Sequence, residues 1–202
     1  MDTDQKPPRG LVVGLSGKFG SGKDTAATLL QEAMPHMNWK RIAFATLVKA
    51  VVATLTSTTL QDNLSDAGKQ SVPNGFNHSL GTLQQKVGMA MRKEIDERVW
   101  VRAAFAAIGP HDNVLVTDVR FPNEFAEIKY NRQGIVIRLQ GRTERLSETR
   151  DPSHPSETAL DTFVDAFDAI VENDGTIDQL RDRLVLVVKE ALLRGGEISR
   201  VE

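Results

Sequence analysis

The chain has 202 residues, 40% of them apolar, a formal net charge of −2 and no cysteine. That length supports one α/β domain with a real core, and the lack of cysteine excludes disulfides, thiolate zinc sites and cysteine nucleophiles. The near-neutral charge gives no overall pull toward nucleic acid or membrane, so an anionic ligand has to be held by local basic residues. No apolar run reaches the length of a membrane span. Residues 1–9, "MDTDQKPPR", lack the apolar stretch of a signal peptide and are expected to form a flexible tail; a cytoplasmic location is the expectation.

Leu11 to Leu15 is a short apolar run leading into glycines, the pattern of a buried parallel strand. Ala26, Leu29, Leu30 and Ala33 then recur at helical spacing until Pro35. "KRIAFA" is the second strand and "TLVKAVVATL" a helix. Residues 58–79 are polar with Pro and Gly and predict a mobile loop. "LGTLQQKVGMAMRKEI" and "ERVWVRAAFAAIG" predict two helices, the second capped by Asp96. "NVLVTDVRF" is the third strand. "PNEFAEIKYNRQG" is a helix with Asn123 as N-cap and Gly134 at its end. "GIVIRL" is the fourth strand, residues 140–155 a second polar stretch, and "FDAIVEN" the fifth strand. Asp174-Gly175 turns into a last helix with Ile177, Leu180, Leu184, Val188 and Ala191 on one face. Strands that alternate with helices predict a parallel sheet covered on both faces. Ligands of such sheets sit beyond the carboxyl ends of the strands, where Lys23, Asp24, Asp118, Arg120, Arg142 and Asn173 all fall.

Gly17 to Lys23, "GKFGSGK", has the G-x-x-x-x-G-K spacing of a phosphate loop. Gly17, Gly20 and Gly22 let backbone N–H groups turn toward phosphate oxygens, the following helix adds its positive end, and Lys23 reaches the β- and γ-phosphates. With Ser21, Asp24 and Thr25 these are the expected nucleotide contacts. Asp24 stands where Ser or Thr normally offers a hydroxyl to Mg²⁺. Two roles fit it: a carboxylate for Mg²⁺, direct or through water, or a cap on its own helix. Asp118 ends an apolar strand as the acidic residue of a second nucleotide motif does; a water-mediated Mg²⁺ contact or an ion pair with Lys23 or Arg120 fits it.

"GLSGKFGSGKDTAATLL", "LQQKVGMAMRKEIDERVWV", "VLVTDVRFPNE" and "AIVENDGTIDQL" occur in this order. Together they resemble the bacteriophage deoxynucleoside monophosphate kinases of the P-loop kinase superfamily, from about Leu11 to Leu192. In that family Asp normally follows the loop lysine. The resemblance implies a three-layer P-loop kinase fold on a five-stranded parallel sheet, formed by residues 10–202 as a single domain, with ATP and Mg²⁺ as cofactors. It implies transfer of the γ-phosphoryl of ATP to a deoxynucleoside monophosphate (dNMP), in the host-cell cytoplasm if the gene is a phage's, and often as a homodimer. Lys23, Arg120, Arg142 and Arg145 would act on the transferring group, with residues 140–155 as a lid on ATP. Asn173 and Gly175 would lie near the adenine, or form only a tight turn. Residues 44–100 would hold the acceptor: Arg92 on its phosphate, Lys49 and Lys69 as weaker phosphate contacts, Gln84 at a base edge, Trp100 under the base or in the core, and Asp118 and Arg120 nearby. His154 before Pro155, Ser156 and Glu157 matches a short family pattern and reads as a cap. The run "NHSLGTLQQ" lacks the Arg that often precedes this helix in the family.

Two other readings compete. Dephospho-coenzyme A and phosphomevalonate kinases share the architecture; a hydroxyl acceptor calls for a base after the second strand, and "FATLVKA" has no carboxylate there, which argues against a hydroxyl acceptor but not against phosphomevalonate, whose acceptor is a phosphate. A nucleotide-binding or ATPase module without a small acceptor is the other. Direct nucleic-acid binding is not expected, with aromatics at 5% and no basic face.

Overall fold

The computed structural model describes residues 9–141 and 154–198, with side chains through residue 194. Among them, five strands form one sheet in the order β2-β3-β1-β4-β5: β1 (Val12–Ser16), β2 (Lys40–Ile42), β3 (Val114–Val119), β4 (Ile135–Gln140) and β5 (Ala169–Glu172). β1 runs parallel to both β3 and β4, and β4 to β5. The expected α/β fold, a parallel sheet flanked by helices, is therefore present.

The chain divides into two compact units, one of residues up to Arg41 together with Ile108 onward, the other Ile42–Ala107. The first unit carries the sheet. Its central strands β1, β3 and β4 are largely apolar and buried because both of their faces are covered, whereas the edge strands β2 and β5 expose Lys40, Arg41 and Glu172. Val13 and Leu15 of β1 pack with α1 (Lys23–Ala33) and α9 (Ile177–Ile198) through Ala26, Leu30, Leu180 and Leu184. Each such buried valine or leucine side chain contributes roughly 1.5–3 kcal/mol. On the other face, a Cβ at Gly14 would meet Ile128 Cδ1 at 2.8 Å and Val119 Cγ2 at 2.9 Å, so only glycine lets this layer close on β1. That layer comes from α7 (Pro122–Ala126) and a π-helical turn over Glu127–Asn131. Phe125 is fully buried there, edge-on to Phe163 and Phe167.

The second unit is helical: α2 (Phe44–Thr56), α3 (Leu60–Leu64), α4 (Asp66–Gln70), α5 (Leu80–Glu94) and α6 (Val99–Phe105). Its core holds Val52, Leu80, Trp100, Val101 and Phe105. The loop expected over 58–79 instead contains α3 and α4. Thr59 and Ser65 start them as N-caps, Thr59 accepting from Asp62 N at 3.0 Å and Ser65 from Gly68 N at 3.0 Å. Short helices of this kind hide from periodicity but are signalled by their caps. The second unit, Ile42–Ala107, contains all of residues 44–100, the anticipated acceptor region.

Three end assignments change. Asp96 is not the N-cap of α6, which begins after Arg98; its carboxylate takes the Arg98 N–H in the turn before. Phe121, not Asn123, precedes α7, with Pro122 at the first helical position. Beyond the π turn the left-handed residue is Gln133, with φ 54°, while Gly134 is required because a Cβ there would meet Val12 O at 2.3 Å.

Among the described residues no helix is long and apolar enough to cross a membrane.

Candidate active site

The site is built in the first unit where β1 runs into Gly17–Lys23. Gly17 and Gly22 take φ values of 144° and 91°, which L side chains rarely adopt. These angles fold the loop over the start of α1, whose first N–H groups have no intrahelical acceptor and point at the loop's hollow. Ser21 is buried in the loop wall, at 1% exposure. Thr25 lies exposed on the first turn of α1.

Lys23 turns back into the loop. Its Nζ donates to Gly17 O at 2.7 Å, Lys18 O at 2.8 Å and Ser21 Oγ at 3.3 Å. Burial pulls its pKa down from an ordinary 10.5 to about 7, the nearby Arg120 charge lowering it further while Glu157, Asp24 and Asp118 oppose the shift. A lysine so desolvated gains strongly from a bound anion.

Asn173, at the end of β5, is 6% exposed and braces the loop from below. Its Nδ2 donates to Ser21 O at 3.0 Å and would lie 2.5 Å from a Cβ on Gly22. Its place after β5 is as expected, and its side chain is engaged with the loop backbone. Gly175 lies in the turn before α9, where a Cβ would meet Gln179 Oε1 at 2.2 Å.

At β3 the register with β1 slips, from Gly14↔Val116 to Ser16↔Val119. The extra residue falls at Thr117–Asp118, where a bulge re-aims side chains, and Asp118 is near enough for its charge to oppose in part the lowering of the Lys23 pKa. The next residues explain "DVRFPNE". Glu124 is 1% exposed, and its Oε2 accepts from Arg120 N at 2.8 Å and Phe121 N at 3.1 Å. This cap turns the chain sharply out of β3 and presents the Arg120 side chain. Arg120 pairs not with Asp118 but with Glu157, Nη1 to Oε1 at 2.5 Å, and donates to Ser156 O at 2.9 Å.

Asp24 does not cap α1. Gly22 is the N-cap without a side-chain bond, and the Asp24 carboxylate, 86% exposed, pairs with Arg41 of β2 at 2.5 Å. Among the described residues no group of three or more His, Asp or Glu side chains converges to hold a metal. Asp24 and Asp118 are nevertheless hard oxygen donors whose charges both act on Lys23. Mg²⁺ is commonly held by one or two carboxylates together with substrate phosphates, and this donor set fits it.

Glu157, Lys18, Asp161 and Arg138 belong to the same network, and none was among the expected site residues. The one-turn helix α8 (Pro155–Thr158) is capped by His154, whose Nδ1 accepts from Ser156 N at 3.2 Å, as expected. Lys18 Nζ donates to Glu157 O at 2.6 Å and pairs with Asp161 at 2.5 Å; Arg138 pairs with the other Asp161 oxygen at 3.0 Å. Burial opposes ionisation of Asp161, but the Lys18 and Arg138 hydrogen bonds hold its carboxyl below the ordinary value. The gap among Gly17, Arg120, Arg138 and Glu157 is about 10 Å³, room for about one water. The sequence carries no local signal for this network, because Lys18 lies 139 residues before Glu157 and 143 before Asp161.

In the second unit, Trp100 takes the core alternative of the two expected for it, 3% exposed with Nε1 donating to Gly88 O at 3.0 Å. Gln84 Nε2 donates to Asn63 O and Oδ1, both at 3.0 Å, tying α5 to α3. Lys69 pairs with Asp66 at 2.9 Å. Arg92 is half-buried and donates to Glu97 O at 3.3 Å. Lys49 lies on α2. Arg142, Arg145 and nearly all of the expected lid lie outside the described residues.

No family profile and no curated protein matches the chain. Among solved structures its fold is similar to TT1252 from Thermus thermophilus, at 15% identity over 90% of this chain and 98% of that one, with a TM-score of 0.50. A shikimate kinase from Acinetobacter baumannii in complex with shikimate is similar at 13% identity, over 92% and 94%, with a TM-score of 0.48. An APS kinase from Mycobacterium tuberculosis in complex with AMPPNP and APS is similar at 15% identity, over 91% and 99%, with a TM-score of 0.42. At such identities the likeness concerns the fold alone.

Proposed function

We propose that the protein is an ATP-dependent deoxynucleoside monophosphate kinase, giving ADP and a deoxynucleoside diphosphate. The observation that carries this reading is Lys23: a buried amine, held among the described residues by loop carbonyls and Ser21 Oγ, at the N-terminus of α1 inside a glycine-rich loop. Such a group is poised to exchange carbonyl acceptors for phosphate oxygens.

In the proposed reaction an acceptor phosphate oxygen attacks the γ-phosphorus while the bond to the β–γ bridging oxygen breaks, and ADP leaves with that electron pair. The acceptor oxygen is already ionised at neutral pH, so the chain needs to supply no base. The second strand leads into Ala43 and Phe44 with no carboxylate, which favours a phosphate acceptor over a hydroxyl. Lys23 and Arg120 supply positive charge to the equatorial oxygens, and the loop N–H groups orient the donor. Mg²⁺ on Asp24 and Asp118 would neutralise phosphate charge. Arg142 and Arg145 are proposed for the lid and Arg92 for the acceptor phosphate, on the resemblance in sequence.

ADP release measured over a panel of nucleoside and metabolite monophosphates tests the reading. Release that requires a dNMP supports it. Release that requires a different metabolite, or that proceeds equally without any acceptor, rejects it.

A further inference from the structure

We propose that Glu157 is a positioning residue: its carboxylate bridges the Phe19 N–H of the phosphate loop and the Arg120 guanidinium, and so fixes where Arg120 stands beside Lys23. The inference rests on the phosphoryl-transfer reading above and adds a residue to it.

The two carboxylate oxygens are divided between two partners. Oε1 takes Arg120 Nη1 at 2.5 Å, and Oε2 takes Phe19 N at 2.9 Å. The Glu157 side chain is 8% exposed and that of Arg120 18%. A carboxylate this dry is costly unless fully paired, and here each oxygen has a charged or backbone donor. The same turn takes Arg120 a second time through Ser156 O and takes Lys18 through Glu157 O. One turn of chain thus grips the outer rim of the loop and the end of β3 together.

The electrostatic need is plain. Arg120 and Lys23 are neighbouring cations, and each disfavours the other's charge. An anion between the loop rim and Arg120 lets both remain aimed at the loop before a polyphosphate arrives. Glu157 does not itself fill the phosphate seat, because it takes the Phe19 N–H and leaves the first-turn N–H groups of α1 to the ligand. This is preorganisation: the cations are set in place in advance and need not be gathered during the reaction.

The test compares the full chain with Glu157→Gln, Glu157→Asp, Arg120→Ala and the Glu157→Gln/Arg120→Ala double variant. In Glu157→Gln, kcat is expected to fall roughly 10- to 100-fold, the scale of a lost hydrogen bond to a charged group, while the KM for ATP stays within about threefold. Glu157→Asp is expected to retain more kcat than Glu157→Gln. The double variant is expected to match Arg120→Ala within about twofold, because Glu157 acts through Arg120. Multiplying losses, or a glutamine variant as active as wild type, would overturn the proposal. Two readouts need no turnover. The Arg120 guanidinium resonances should show slow rotation in the wild type and fast rotation in Glu157→Gln, while inorganic pyrophosphate, like ATP, should bind that variant within about threefold of the wild-type affinity. Unchanged Arg120 rotation, or tighter pyrophosphate binding from relief of a competing carboxylate, would overturn the assignment even if no acceptor is ever found. A missing acceptor alone would count against the kinase reading only.

Discussion

The Asn173 side chain donates to the Ser21 carbonyl at 3.0 Å, fastening the end of β5 to a phosphate loop 152 residues earlier in the chain. The bond is buried, so its loss leaves a carbonyl without a partner. Asn173→Ala is expected to cost about 1–3 kcal/mol, lowering Tm by roughly 2–10 °C, and to weaken pyrophosphate binding. Thermal melts and calorimetry check both; an unchanged melt would mean the loop holds itself.

Lys23 gives a pH signature. With a pKa near 7 in the free protein, it is half deprotonated at neutral pH, and a bound polyphosphate favours its charged form. Pyrophosphate binding at pH 8 should therefore take up a proton. Relative to Lys23→Met, affinity should fall about tenfold per pH unit above 7 until the bound-state pKa is reached. The effect on stability is the reverse. The folded pKa lies below the unfolded value of about 10.5, so between those values the unfolded chain binds more protons and stability rises with pH. The penalty is complete below about pH 7 and gone above about 10.5. Titration calorimetry in buffers of different ionisation enthalpy, and melts across pH 7–10, read the two signs.

The Asp24–Arg41 pair separates metal binding from architecture. An exposed pair contributes about 0–1 kcal/mol, so Arg41→Ala should move Tm by no more than about 4 °C. Asp24→Asn should raise the Mg²⁺ concentration for half-maximal activity by roughly tenfold, as loss of an oxygen ligand would, while Arg41→Ala changes it less than about twofold. Equal effects of both variants would assign Asp24 to the ion pair alone.

Glu124 carries the turn that presents Arg120. Glu124→Ala removes an acceptor buried under the Arg120 and Phe121 N–H groups, with an expected cost of about 2–4 kcal/mol. Urea unfolding measures it, and a cost below about 0.5 kcal/mol would place the turn's stability elsewhere.

The sheet was legible because every strand but the short β2 is an apolar run leading into polar residues, and the phosphate loop because glycine spacing leaves few other conformations. "DVRFPNE" was legible as a motif, yet its physical reason, Glu124 capping the chain after β3, needed the fold. Asp24 could be placed at the helix start but not against Arg41, since the pair joins two elements. Glu157 and Asp161 were invisible because their partners are distant in sequence, from 23 residues for Arg138 and 37 for Arg120 to 138 for Phe19 and 143 for Lys18. Trp100 offered no local signal to separate core from ligand face. The helices within 58–79 were missed because one-turn helices have no periodicity.

The most direct measurement of the central claim is the product balance of the purified full-length chain given ATP, Mg²⁺ and each dNMP in turn. The account predicts ADP and a deoxynucleoside diphosphate in equal amounts with at least one dNMP, and neither product from folded Lys23→Ala. ADP formed with inorganic phosphate at a rate indifferent to every monophosphate would contradict it.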